Sequence, residues 1–187
     1  PQSQFKRPTT FFSQRGCFWS ESKGGCIFCA RKEKCQFKKP ELVWKEVKYL
    51  EEKYKVDYLD DESDNYSQNL PFLKKLLEKK PSTNVKFRVW ARTDQINEEI
   101  AEVMYKLGVH DVFLGIESGD ANCLKNFNKG TTPKDNLKAV KILNKFGIKV
   151  FAFFVFGAPG ETKKSLENSL NHAKKLIEVG NIETLGG

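Results

Sequence analysis

Short apolar runs alternate along the chain with segments whose apolar residues recur at helical spacing. The runs are rich in β-branched and aromatic residues and are apolar at successive positions, which is typical of parallel strands covered by helices. We therefore predict strands at Thr10–Ser13, Val56–Asp60, Val85–Ala91, Val112–Glu117 and Lys149–Gly157.

The segments between these runs carry helix start and stop signals. Helices are expected to begin with a capping residue or an early proline, at Pro40, Asn97, Thr132 and Thr162. The last three are expected to end at glycines, which suit the left-handed turn that closes a helix: Gly108, Gly147 and Gly180. In the final helix the apolar residues that fall in line are Leu166, Leu170, Ala173 and Ile177.

A strand–helix unit repeated about five times predicts an α/β fold with a parallel sheet, either doubly wound or a (β/α) barrel. A complete eight-unit barrel needs about 250 residues, whereas this sequence has 187. We expect a partial (β/α) barrel of about five to six units. The segment 182–187 looks like the start of a sixth strand, and residues 1–187 are interpreted as one domain, a fragment or an incomplete barrel.

Polar groups follow the predicted strands, at the edge where parallel α/β sheets bind their ligands. The strands themselves are apolar, so this distribution indicates a site rather than a core. The segments that follow the strands are Arg15–Cys17, Asp60–Glu62, Ala91–Asp94, Gly115–Gly119 and Gly157–Thr162.

The composition narrows the classes of partner. The net charge is +8, but the lysines are spread over predicted helices, which favours solvated helix faces over a nucleic-acid surface while leaving an RNA partner open. No apolar run has the length of a membrane span, and the first ten residues lack the apolar block of a secretory signal. A cytoplasmic protein without membrane contact is expected.

Four of the five cysteines cluster near the start of the chain, and an odd number without an export signal disfavours a disulfide framework. Cys17, Cys26 and Cys29 have the spacing C-x8-C-x2-C. Thiolates at such spacing bind an iron–sulfur cluster or, with Cys35 as a fourth ligand, a structural zinc ion. The cysteines alone leave both open. Cys123 lies in a predicted helix and is expected to be a buried apolar residue.

Seven short motifs occur in an order that resembles radical S-adenosylmethionine enzymes, in the branch of cobalamin-dependent methyltransferases and methylthiotransferases. The resemblance extends from Thr10 to about Gly180. The first cysteine gap departs from it, since the family usually has three residues there and this sequence has eight. The motifs are Arg15-Gly16-Cys17, Cys26–Cys29, Leu59-Asp60-Asp61, Ala91–Asp94, Gly115–Gly119, Lys129-Gly130 and Gly157–Thr162.

The resemblance implies that Cys17, Cys26 and Cys29 hold a 4Fe–4S cluster whose fourth iron is open to S-adenosylmethionine. An external donor would supply the electron that cleaves this cofactor to a 5′-deoxyadenosyl radical, and the protein would bind, orient and exclude water. Cobalamin is a further cofactor of this branch, but the sequence contains no Asp-x-His-x-x-Gly signature for it. Any cobalamin domain would lie outside these residues.

Charged contacts to S-adenosylmethionine follow from the same resemblance. Asp60 or Asp61 would accept hydrogen bonds from its amino group, and Arg92 or Lys129 would bind its carboxylate. The alternatives are ordinary: the aspartates would cap the following loop, and the two basic residues would form surface ion pairs.

The remaining contacts implied by the resemblance involve the nucleoside. Glu117 with Ser118 would bind the ribose hydroxyls, unless Glu117 merely pairs with a lysine. Phe28 would flank the adenine, its alternative role being to fill the core, and Pro159 with its neighbouring glycines would bring backbone close to the base.

The sequence leaves the substrate open among a peptide, a small molecule and RNA, and it makes no prediction of oligomeric state. The leading hypothesis is radical chemistry with methyl or methylthio transfer. A radical enzyme that modifies tRNA and a zinc-stabilised nucleic-acid-binding domain are the alternatives.

Overall fold

A computed structural model describes residues 4–31, 33–180 and 182–186. The strands are β1 Pro8–Phe11, β2 Gln14–Arg15, β3 Gln36–Phe37, β4 Tyr58–Asp61, β5 Lys86–Ala91, β6 Val109–Glu117, β7 Lys149–Phe154 and β8 Ile182–Gly186. The α-helices are α1 Phe18–Lys23, α2 Pro40–Tyr54, α3 Leu70–Glu78, α4 Glu98–Leu107, α5 Ala121–Asn126, α6 Pro133–Lys145 and α7 Lys163–Val179. Short 3-10 turns lie at Tyr66–Gln68 and Thr93–Gln95.

Six strands form one parallel sheet in the order β1-β4-β5-β6-β7-β8. Neighbours in this sheet follow one another along the chain. Between β1 and β4 the chain also forms a separate two-stranded antiparallel sheet from β2 and β3. The architecture is the partial (β/α) barrel that the sequence predicts, and the sixth strand is present as β8.

The two faces of the sheet differ because successive side chains point in opposite directions. On one face Leu59, Val89 and Val112 are fully buried in the main core, which the helices cover. On the opposite face the rings of Trp90, Phe113, Phe151 and Phe153 contact one another. The aromatic side chains of the predicted strands therefore line the inner face of the partial barrel.

Most predicted helix boundaries are confirmed by the caps. The Asn97 side chain accepts a hydrogen bond from the Ile100 N–H, and Gly108 closes α4 in the left-handed conformation. Thr132 and Asp135 form a reciprocal capping box at the start of α6. The helices α1 and α3 and the two-stranded β2–β3 sheet were not predicted.

The orientation of α7 differs from what its apolar spacing suggests. Leu166, Leu170 and Ile177 are 41%, 60% and 55% exposed, whereas Ser169 and His172 are buried. The cause is a close approach to the end of β6: a Cβ on Gly119 would lie 2.4 Å from the His172 Cβ. Small and polar side chains let the helix come this near.

Acidification is expected to destabilise the protein through His172. Burial, with a smaller contribution from Lys175, lowers the pKa of His172 from 6.5 to about 4. Because the unfolded chain takes up the proton first, the free energy of unfolding should fall by about 3 kcal/mol as the pH drops from 6.5 to 4. Urea unfolding of the wild type and of His172→Gln across this range measures the effect, and parallel pH profiles would contradict it.

Within the described ranges, none of the helices combines the length and the apolar composition that a membrane span requires. The five cysteines are free, and Cys123 is buried as predicted, with Phe127 and Ala158 around it.

Candidate cofactor site

The two aspartates at the end of β4 have different surroundings. Asp61 is buried, and its Oδ1 accepts hydrogen bonds from the backbone N–H of Ser13 and of Ser63, each at 3.1 Å. Burial raises the pKa of this carboxyl despite those bonds. Asp61 therefore ties together the loops that follow β1 and β4.

Asp60 lies on the opposite, aromatic face of the sheet, where it forms an ion pair with Arg88 of the adjacent strand. The Arg88 guanidinium also lies 4.3 Å from the centre of the Phe113 ring. Asp60 is 2% exposed, and its Oδ1 has no hydrogen-bond partner among the residues described. A buried carboxylate oxygen without a partner costs free energy, and it leaves one acceptor available to a ligand.

Glu117 and Lys129 form a buried ion pair at the end of β6, with 2.7 Å between Oε1 and Nζ. Gly115 makes room for it: a Cβ there would lie 2.3 Å from Glu117 Oε1 and 2.7 Å from Lys129 Nζ. The Glu117 backbone has φ +60°, in the left-handed region that non-glycine residues rarely adopt. Strained backbone of this kind collects at ligand sites.

Arg92, just after β5, links the Glu117–Lys129 ion pair to the cysteine loop, which is the segment from Cys17 to Cys29. Its Nη2 donates to the Lys129 carbonyl oxygen at 2.6 Å, and its Nη1 lies 3.9 Å from Cys26 Sγ. The guanidinium is 4.8 Å from the centre of the Trp19 ring and pairs with Asp94 at 3.1 Å. One buried arginine therefore contacts both the segment from Cys17 to Cys29 and the loop that follows α5.

The segment from Cys17 to Cys29 is held against the loop that follows α5. Trp19 Nε1 donates to the Asn128 carbonyl oxygen at 2.7 Å, and Asn128 Nδ2 donates to the Gly25 carbonyl oxygen at 2.7 Å. The Ile27 N–H adds a backbone bond to Phe127 at 3.0 Å. These contacts bring Cys26 beside Arg92, Glu117 and Lys129.

The loop after β4 holds the first cysteine. Asn65 Nδ2 lies 3.7 Å from Cys17 Sγ, and Asp64 Oδ2 accepts from the Gly16 N–H at 2.8 Å. Gln68 accepts from the Phe18 N–H at 2.8 Å and donates to the Gly16 carbonyl oxygen at 3.0 Å. These three polar residues surround Cys17 and were not predicted as site residues.

The donor chemistry suits a thiolate-bound cluster. Burial raises the pKa of the Cys26 thiol, and the nearby Lys129 and Arg92 oppose that rise, so cations are in place to stabilise a thiolate. Burial and the nearby Glu21 raise the pKa of Cys35 to about 12, which keeps that thiol protonated. Across the described part of the chain, no three His, Cys, Asp or Glu side chains form a group that could hold a metal ion, and this includes Cys17, Cys26 and Cys29.

The other predicted contacts are more scattered. Phe28 is 43% exposed, with its ring edge-on to Phe127 at 5.1 Å between centres. Ser118 is buried, and its hydroxyl lies 3.0 Å from Ser169 on α7. The Pro159 carbonyl oxygen accepts from Asn126 at 2.6 Å. The structure thus brings Arg92, Glu117 and Lys129 together with Cys26, while the Ser118 hydroxyl contacts a helix.

Substituting Gly130 with alanine is expected to detach the cysteine loop from the loop that follows α5. Gly130 has φ +71°, and a Cβ there would lie 2.1 Å from Trp19 Cη2. We expect Gly130→Ala to lower the free energy of unfolding by about 2 kcal/mol and to make the loop sensitive to proteolysis. Denaturant unfolding followed by limited proteolysis measures both.

Gly147→Ala is the matched control, because Gly147 has φ +70° and nothing within 4 Å of its Cβ position. It carries the same backbone cost without the clash. Equal losses of stability in the two variants, with an equally protected loop, would contradict the role of Gly130 in seating Trp19.

Comparisons with known proteins agree on one family. The model of the radical SAM superfamily matches residues 13–173. An uncharacterized methyltransferase of Pyrococcus horikoshii is 29% identical over 175 residues, covering 88% of this chain and 36% of that protein. The 4′-phospho-dehydrooxetanocin synthase of Priestia megaterium is 25% identical, covering 96% of this chain and 28% of that protein.

Solved structures share the fold. The radical S-adenosylmethionine methyltransferase TsrM from Kitasatospora setae, with cobalamin and a 4Fe–4S cluster bound, has a TM-score of 0.79 and 16% identity over 95% of this chain. The cobalamin-dependent radical enzyme OxsB, with aqua-cobalamin and S-adenosylmethionine bound, has a TM-score of 0.75 and 21% identity over 87%. This chain covers 34% and 26% of those two chains.

The chain thus spans about a third or less of the proteins named above. The superfamily match nevertheless extends over most of this chain, and it includes the cysteine segment together with the ends of β4, β5 and β6. The chain belongs to the radical SAM superfamily.

Proposed function

We propose that this chain is the core of an enzyme that cleaves S-adenosylmethionine at a 4Fe–4S cluster and uses the resulting 5′-deoxyadenosyl radical to abstract hydrogen from a substrate. The observation that carries the proposal is the buried group of Arg92, Glu117 and Lys129 beside Cys26. A structural zinc site needs no such group. The zinc-stabilised nucleic-acid-binding alternative is therefore not favoured.

Each residue of the site has a role in this proposal. Cys17, Cys26 and Cys29 would bind three irons, and the cofactor would bind the fourth. Arg92 and Lys129 would attract the cofactor carboxylate, because they are cations held away from water. Their present partners are Asp94 and Glu117, so the carboxylate would share these cations with them.

Asp60 would accept a hydrogen bond from the cofactor amino group, because its Oδ1 has no partner among the described residues and it lies on the aromatic face of the sheet. Asp61 Oδ2 also lacks a partner within the described ranges, but Asp61 lies on the face that the helices cover. Glu117 would bind the ribose hydroxyls through the carboxylate oxygen that Lys129 does not contact. Ser118 would be the second residue to bind the ribose, as the sequence predicts. The exposed Phe28 ring would flank the adenine, near the backbone of Pro159. Asp61 would keep the loops in place.

The wider activity of the protein belongs to the same proposal. Relatives named as methyltransferases support methyl or methylthio transfer as the outcome, with cobalamin as a candidate cofactor held outside these residues. We further propose that residues 1–187 form one core domain, that an external donor supplies electrons, and that the protein works in the cytoplasm, where thiols stay reduced.

The test is cleavage of S-adenosylmethionine. Protein reconstituted anaerobically with iron and sulfide, then reduced with dithionite, is expected to release 5′-deoxyadenosine and methionine, measured by chromatography. Omitting dithionite should abolish both products. Iron-loaded, reduced protein that binds S-adenosylmethionine but yields no 5′-deoxyadenosine would overturn the proposal.

A further inference from the structure

A buried amide joins the ends of two strands that carry the candidate site. Asn136, in the first turn of α6, is fully buried. Its Nδ2 lies 3.3 Å from the Ile116 carbonyl oxygen and 3.5 Å from the Ser118 carbonyl oxygen, and its Oδ1 accepts from Thr93 Oγ1 at 2.8 Å. Both polar atoms of the amide are therefore engaged with β-strand ends.

The two carbonyls that Asn136 binds flank Glu117. Glu117 has φ +60°, a conformation that costs a non-glycine residue about 1 kcal/mol or more and persists only where its surroundings hold it. The turn around it is tight, because the Ser118 N–H donates to the Ile116 carbonyl oxygen at 2.8 Å. Asn136 contacts this turn on both sides of the strained residue.

The third contact of the amide lies at the end of β5. Thr93, which donates its hydroxyl to Asn136, directly follows Arg92, whose side chain reaches Lys129 and Cys26. One side chain therefore connects the backbone that projects Glu117 with the backbone that projects Arg92. Nothing else about α6 requires an amide there, since its start is already capped by Thr132 and Asp135.

Burying an amide is costly unless all of its hydrogen bonds are made, and an apolar residue would pack α6 at lower cost. We propose that Asn136 is a positioning residue that sets the spacing between Glu117 and Arg92 for the cofactor. This inference rests on the proposed function for the identity of the ligand, S-adenosylmethionine. The geometric part, that Asn136 holds the turn at 116–118, is independent of any ligand.

The experiment compares Asn136→Leu, Asn136→Asp and Thr93→Val with the wild type. Amide hydrogen exchange of the cluster-free protein reads the turn directly, and calorimetric titration of reconstituted protein with S-adenosylmethionine reads the site. Asn136→Leu should speed exchange at residues 116–119 and weaken S-adenosylmethionine binding about tenfold. Asn136→Asp should do the same, because its carboxylate cannot donate to the two carbonyls.

Thr93→Val should speed exchange at 92–95 while leaving 116–119 protected. It is the milder variant, since it keeps the side-chain shape and leaves one acceptor, Asn136 Oδ1, without its donor. Asn97→Ala is the control, because it removes the N-cap of α4 and lowers stability without contacting either strand end. It should leave S-adenosylmethionine affinity unchanged.

Two results would overturn the inference: exchange at 116–119 unchanged in Asn136→Leu and Asn136→Asp, or affinity no lower than in Asn97→Ala. Should neither Asn136 variant fold, unchanged exchange at 92–95 in Thr93→Val overturns it instead. Failure of the proposed function is distinguishable, because the wild type itself would then not bind S-adenosylmethionine while the exchange differences remained.

Discussion

Replacing Cys26 with alanine is expected to reduce the iron and sulfide that the protein retains after anaerobic reconstitution to the background level. Cys26 is the buried member of the predicted ligand set, and Arg92 and Lys129 lie beside it. A cluster with three protein ligands that loses one of them keeps too few thiolates to remain bound. Iron and acid-labile sulfide analysis measures the loss, and Cys17→Ala and Cys29→Ala should behave alike.

Cys35→Ala and Cys123→Ala are the controls, since neither residue belongs to the predicted ligand set. Both should retain the full iron content of the wild type. Loss of the metal in Cys35→Ala would instead indicate a four-cysteine site and would contradict the open iron on which the proposed chemistry depends.

Replacing Lys129 with methionine is expected to destabilise the cluster-free protein by about 3–5 kcal/mol, because removing one partner leaves a buried charge unpaired. The remaining charge would be Glu117, whose side chain is 8% exposed. The double variant Glu117→Gln with Lys129→Met should recover most of that loss, since no charge then remains. Denaturant unfolding of the two single variants and the double variant gives the coupling between the residues.

Lys145→Met is the matched control for this experiment. Lys145 pairs with Glu98 at 2.7 Å, the same distance, but the two side chains are 64% and 56% exposed. Exposed pairs of this kind contribute about 1 kcal/mol or less. If Lys129→Met cost no more than Lys145→Met, the buried ion pair at the end of β6 would not be the structural feature we describe.

Local chemistry made much of the fold predictable. The start of α4 at Asn97 and its end at Gly108 follow from hydrogen bonds within one turn, so residue identity suffices to predict them. The parallel sheet follows from the alternation of apolar runs with helices. The face of α7 was not predictable, because its buried side packs against Gly119, which lies in the loop between β6 and α5.

The candidate site likewise contains residues that were predictable from the sequence and residues that were not. Arg92 and Glu117 were predictable, since the carboxyl ends of neighbouring parallel strands meet at one edge of the sheet. Alternation along β4 implies that Asp60 and Asp61 face opposite sides, but which side binds the cofactor depends on how the helices pack. The sequence alone therefore left both open.

The residues that sequence reasoning missed act across long separations. Trp19 contacts the Asn128 backbone, and Asn136 contacts Thr93 and the Glu117 turn. No local pattern marks such pairs. Asn128 adopts positive φ just before Lys129-Gly130, and asparagine tolerates positive φ better than most residues. Its identity was therefore a partial signal for a turn at that position.

The most direct test of the central claim is electron paramagnetic resonance of the reconstituted, dithionite-reduced protein with and without S-adenosylmethionine. An iron that the protein leaves open should bind the cofactor, so its addition should change the spectrum of the reduced cluster. Cys35→Ala should show the same change. A reduced cluster whose spectrum is unaffected by S-adenosylmethionine, or a colourless zinc-loaded protein with no reducible cluster, would contradict the account.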